Sequence, residues 1–182
     1  ITIPGGLKHI PYQCFSGCSS LTSVTIEKGV KIIGQTAFSG CNIESLTIPE
    51  GVTSIENHAF WGCRNLREVT IPESVTEIGH RAFEGCVNLQ SVTIPENVTE
   101  ISDSTFEGCS KLQSVTIPKS VKKISGTAFK DTPWREGLGA LAVINHCLLN
   151  YLGEEKDVIL PEGLEEIGDG AFEYCAGIQS VT

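Results

Sequence analysis

A 23-residue segment, EVTIPESVTEIGHRAFEGCVNLQ (residues 68–90), recurs along nearly the whole chain, and this periodicity limits the possible folds more than any other feature. Val69, Val92 and Val115 stand 23 residues apart. Ile1, Val24 and Leu46 hold the same place earlier, with one residue deleted after Cys41, and Val158 and Val181 hold it later. Between Val115 and Val158 lie 43 residues, so one repeat carries an insertion. Seven full repeats and the first two residues of an eighth account for the 182 residues.

Most matched columns are apolar. One runs Ile3, Ile26, Ile48, Ile71, Ile94, Ile117 and Leu160; another runs Ile10, Ile33, Ile55, Ile78, Ile101, Ile124 and Ile167. Phe15, Phe38, Phe60, Phe83, Phe106, Phe129 and Phe172 are all the phenylalanines of the chain. A unit this short cannot bury its own apolar side chains, whereas stacked neighbours bury them as continuous ladders. The alternation in Val92-Thr93-Ile94 reads as a short strand with one buried face. Strands repeated with equal connections run parallel, about 4.8 Å apart. Pro follows the strand in six of seven repeats, Glu27 being the exception, and ends the ladder because it has no N–H. The AFxGC segment reads as one tight helical turn with a left-handed Gly at its end, from which Asp131 and Tyr174 depart.

The pattern LxxVTIPxxVxxIGxxAFxGC resembles the BspA-like leucine-rich repeat, a family of surface proteins in host-associated bacteria and some parasitic protists. The resemblance covers nearly the whole chain. It implies a β-rich α/β solenoid, right-handed, with a parallel concave β-sheet and short helical turns on the convex side. It also implies a cell-surface or extracellular location and a role in adhesion, with no catalytic residues and no cofactor. The chain then reads as a single leucine-rich repeat domain over 1–182, with a β-hairpin insertion around 133–153, excerpted from a longer chain.

The net charge of −9 argues against a nucleic-acid partner, since phosphate contacts need a basic footprint. No apolar run approaches the roughly 20 residues that span a bilayer, so this segment is not expected to insert in a membrane. No HExxH, GxSxG, Walker or GxGxxG pattern appears, and there is no CxxC pair to suggest a metal site. Six of eight cysteines share one column (Cys18, Cys41, Cys63, Cys86, Cys109 and Cys175). Stacked Cβ vectors run parallel and do not turn toward each other as a disulfide needs, so buried free thiols are expected, with Cys14 also in the core.

The candidate partner residues depart from the uniform repeat or line its strand face. Thr70, Thr93 and Thr116 belong to a row of outward-facing threonines, which suits a half-buried pleated surface and equally a flat polar contact with a glycan or protein. Residues 1–110 carry a net charge of −6 and residues 136–182 a net charge of −8, whereas residues 111–135 carry +5. Lys119, Lys122, Lys123, Lys130 and Arg135 with Trp134 form this basic island at the start of the insertion. It reads either as a partner site or as lysines balancing acidic neighbours. Trp61 stands in an otherwise polar column and is expected to be exposed. His58 and His80, from adjacent repeats, are close enough in register to meet. In the insertion, ALAVI and CLLNYL flank Asn145-His146 and read as a hairpin, for packing or for binding. Two functions fit: a surface-displayed module binding a host or neighbouring-cell protein or glycan, or a spacer that displays another domain.

Overall fold

The computed structural model describes residues 1–151, 153–168, 170–173 and 175–182, and forms a parallel β-solenoid of about eight turns. Leu152 of the expected second hairpin strand and Tyr174 of the glycine column lie outside the described residues. Two ladders of short strands run along the solenoid. The first holds the VTI segments: Ser45–Thr47, Glu68–Thr70, Ser91–Thr93 and Ser114–Thr116 form a four-stranded sheet, with Thr47 opposite Thr70 and Thr93 opposite Thr116. Thr2–Ile3 pairs with Thr25–Ile26 ahead of it, and Asp157–Val158 pairs with Ser180–Val181 after it. The ladder is interrupted at the 22-residue repeat and again at the insertion.

The second ladder was not anticipated. Two-residue strands pair Ile10, Ile33, Ile55 and Ile78 in register, and Ile101 pairs with Ile124. Between the ladders the apolar columns close completely: Val30, Val52, Val75, Val98 and Val121 are fully buried, as are Phe38 to Phe106 and the intervening Ala37, Ala59 and Ala82. Phe15, Phe38, Phe60, Phe83, Phe106 and Phe129 stack with centroids 5.2–5.5 Å apart and planes within 12°.

The AFxGC segment is not a helical turn, and the backbone shows why. In the segments from Phe15 to Phe106 two residues have positive φ: the one two places before the phenylalanine (Thr36 at 54°, Arg81 at 57°) and the glycine (Gly40 at 69°, Gly85 at 70°). Left-handed residues four apart stop a right-handed helix from propagating. The result is a pair of tight turns in which Ala37, Ser39 and Cys41 donate to Gly34, Thr36 and Phe38. The alternate N–H groups of Thr36, Phe38 and Gly40 reach the next turn, donating to the carbonyls of Asn57, Ala59 and Trp61 at 3.0, 2.8 and 2.7 Å. Every backbone donor in the segment is thereby satisfied, half locally and half across the stack. Asp131 replaces glycine but keeps φ at 58°, since Asp tolerates the left-handed region; the cap persists there with a different residue. The single short helix among the described residues, Pro133–Glu136, opens the insertion, with Thr132 as its N-cap.

The insertion supplies a turn of the solenoid. Leu141–Ile144 and Cys147–Tyr151 form an antiparallel hairpin, and both turn residues, Asn145 (φ 48°) and His146 (φ 65°), are left-handed, as a primed hairpin turn requires. Cys147 and Leu148 pair in parallel with Glu166 and Ile167. Tyr151 donates to Ala171 at 2.8 Å, just as Phe60 donates to Ala82, and its carbonyl accepts from the Cys175 thiol. Tyr151 thus occupies the phenylalanine column, tilted against Phe172 at 5.9 Å.

Candidate binding surfaces around the insertion

Thr70, Thr93 and Thr116 are exposed on the first ladder, flanked by exposed Glu68, Ser91 and Ser114. Their spacing is imposed by the strand pairing, and the face they make is flat in chemistry: hydroxyls and one carboxylate, with no aromatic side chain.

The basic island does not form one patch. Its members belong to different positions of the turn, and the solenoid carries them to different faces. Lys119 and Lys122 are exposed and line a recess of about 480 Å³ with Asn145, His146, Glu165 and Glu166. The hairpin turn is held there by the Asn145 amide, which donates to Pro118 and Val121, and by His146 Nδ1 at 2.9 Å from the Gly163 carbonyl. Lys123 lies in the second ladder, 3.4 Å from Glu100. Lys130 reaches Glu107 at 3.6 Å. Both pairs join one turn to the acidic turn before it and are largely solvated, a geometry worth roughly 0–1 kcal/mol each.

Trp134 and Arg135 differ most from an exposed hot spot. Trp134 is half-buried, its N–H bonded to the Leu112 carbonyl, and its ring tilts against Phe129 at 4.7 Å. It closes the end of the phenylalanine stack where the repeat is interrupted. Arg135 is buried, only 7% exposed, and lines a cavity of about 380 Å³ with Lys130, Asp131, Glu136, Tyr151 and Glu173. Burial pushes the guanidinium below its ordinary pKa, against the pull of Asp131 and Glu107. The Tyr151 hydroxyl donates to a Glu155 carboxylate oxygen at 2.6 Å; that hydrogen bond raises the phenol and lowers the carboxylate.

Trp61 is 45% exposed, as its polar column suggests, and lines a separate recess with Asn42, Arg64, Glu84 and Val87. His80 turns to Asp103 at 3.5 Å, so the two histidines do not act as a pair. All eight cysteines are free thiols. Cys14 and Cys18 are exposed, so the expectation that Cys14 lies in the core does not hold in this structure. From Cys41 to Cys109 the thiols donate to the phenylalanine carbonyl one turn back, at 3.1–3.3 Å. Desolvation, reinforced by a neighbouring thiol, pushes Cys41 up to about 11 and Cys63 to about 12, and Cys86 is raised well above its ordinary value. Burial likewise takes Cys109 to about 12. Among the described residues no group of three or more His, Cys, Asp or Glu side chains is placed to hold a metal ion, and no helix is long and apolar enough to cross a membrane.

Solved structures share this architecture. A leucine-rich repeat protein from Bacteroides ovatus is 31% identical over the whole chain with a TM-score of 0.74, and a leucine-rich cell surface protein from Faecalibacterium prausnitzii is 31% identical with a TM-score of 0.69. A leucine-rich repeat protein from T. pallidum is 26% identical, with a TM-score of 0.52. The chain spans 42% and 46% of the length of the first two and 67% of the third. No curated protein matches it. The family model described as BspA type leucine rich repeat region matches residues 1–76, 31–137 and 140–182, in six copies. Repeat proteins of this type are generally non-catalytic binding modules. With the family pattern matched over almost every turn of the solenoid, the chain belongs to the BspA-type leucine-rich repeat family.

Proposed function

We propose that this chain is a non-catalytic binding module of a cell-surface or secreted protein, mediating protein–protein contact or adhesion to a host or neighbouring cell. The observation that carries this reading is the insertion. It replaces one turn of a uniform stack with a hairpin, opens recesses on two sides of it, and sets Lys119 and Lys122 beside one of them. Departures of this kind in repeat proteins map to one face and commonly bind. The cell-surface description of the F. prausnitzii protein supports the location.

Binding of the purified chain to extracellular-matrix proteins and a glycan array, at low and high salt, tests the proposal. A saturable hit weakened by salt is expected, and replacing Lys119 and Lys122 by Glu should reduce it without changing the melting temperature. The even Thr and Ser rows of the first ladder favour the second reading, a spacer, because a spacer needs identical turns. A folded chain that binds nothing in this screen would leave that reading in place.

A further inference from the structure

The cavity beside Pro133–Glu136 holds a buried cation that makes no direct ion pair with the described residues, although Asp131 and Glu107 act on it from further off. Arg135 is 7% exposed, its Nε is shielded from solvent without an acceptor, and no carboxylate of the described residues lies within ion-pair distance of it. The lysine of the same cavity is handled differently: Lys130 reaches Glu107 of the preceding turn. A buried guanidinium left unpaired is costly, and a repeat protein could fill this position with an apolar residue at no loss of fold. The cost is recovered if a ligand brings a carboxylate into direct contact with the guanidinium, which the carboxylates of the cavity do not make.

We propose that this cavity binds the carboxylate of a terminal acidic sugar, of uronic or sialic type, with Arg135 gripping the carboxylate. The guanidinium is a planar fork matched to a carboxylate and binds it bidentately. The rim limits what surrounds that carboxylate. Asp131, Glu136 and Glu173 line the same space, so a second negative charge is repelled, while neutral hydroxyls find acceptors. This disfavours a phosphate dianion and favours a ligand with one carboxylate and hydroxyls on adjacent carbons. A peptide carboxyl terminus offers only a single nearby N–H to the three carboxylates. Gly153 and Gly170 present no side chain to the cavity, and a volume of about 380 Å³, at the lower end for ligand sites, suits a single ring. The site exists because the insertion breaks the stack: Arg135 comes from its helix, Tyr151 from its hairpin and Glu173 from the turn that follows. The proposal rests on reading the chain as a binding module and names one ligand class for it.

Titration calorimetry of the whole chain with glucuronic acid and N-acetylneuraminic acid tests the site, with glucose, inorganic phosphate and an N-acetylated dipeptide bearing a free carboxyl terminus as comparisons. One acidic sugar should bind and glucose should not. Arg135→Met should weaken it by at least about tenfold while melting no lower than the parent, since it removes an unpaired buried charge. Arg135→Lys, which keeps the charge and loses the fork, should weaken it as well. If Arg135→Met does not fold, Glu136→Gln, at an exposed rim position, should raise the affinity for inorganic phosphate relative to the acidic sugar several-fold over the parent, since one of the three repelling carboxylates is gone. No saturation by either acidic sugar, unchanged affinity in the folded variants, or tighter binding of the dipeptide or phosphate would each overturn the proposal. A macromolecular partner from the screen that still binds Arg135→Met, with no acidic sugar bound, overturns the pocket and leaves the binding-module reading intact.

Discussion

Each buried thiol from Cys41 to Cys109 donates to a carbonyl that also accepts a backbone N–H within its own turn; Phe38, for example, accepts from Cys41 N–H and from the Cys63 thiol. Both lone pairs of that oxygen are used, which is why the column favours cysteine over alanine. The folded thiols ionise only near 11 to 12, against 9.0 when solvated, so the folded chain holds protons that the unfolded chain loses above pH 9. Stability is therefore full below pH 9 and falls above it, by up to about 1.4 kcal/mol per pH unit for each such thiol. Thermal melts at about pH 8 and pH 10 should show that fall, and Cys86→Ala should make it shallower. Under native conditions at neutral pH, alkylation should spare the four buried column thiols, and denaturant should expose all eight. The phenylalanine stack gives a second expectation. Phe83 is fully buried between two rings, so Phe83→Ala should cost about 3–5 kcal/mol in denaturant unfolding.

The elements differ in how far their residues announce them. The first ladder was legible because Val-Thr-Ile alternates and a proline ends it. The second was not: two residues such as Glu77-Ile78 carry too little periodicity, and their strand character comes wholly from the neighbouring turns. The helical turn expected at AFxGC failed for a related reason. Thr36, His58, Arg81 and Ser104 have nothing in common that marks a left-handed residue, and the conformation is imposed by the cross-turn bonds on either side. The hairpin was readable from its apolar runs. Its role as a turn of the solenoid was not, because Tyr151 reaches the phenylalanine column by a shorter path than the repeat uses. Asn145 is the element's weak point: it tolerates positive φ and its amide bonds two carbonyls. Asn145→Ala should destabilise the chain by about 1–3 kcal/mol, measured by chemical unfolding. Of the candidate site, sequence identified the segment but not its arrangement. Arg135 looked like one more surface cation, and its burial depends on Trp134 docking under Leu112 and on a tyrosine 16 residues later.

Across the whole molecule, each turn meets only its neighbours, so stability is a sum of intrinsic and interface contributions along one dimension. Most interfaces are alike, with the same stacked ring and the same alternate backbone bonds. The insertion is where that uniformity fails. The ring stack that begins at Phe15 stops on Trp134, another begins at Tyr151, and Ser114–Thr116 does not pair with Asp157–Val158. In a crystal this would be called a stacking fault, and such a fault is where a strained lattice yields. Pulled from its two ends, the chain should not unzip one turn at a time from either side. It should part first at residues 133–156, releasing the 1–132 stack as a separate block that unfolds at higher force. An acidic sugar lodged against Arg135 would then work like a rivet across the fault, raising the force at which the two blocks part.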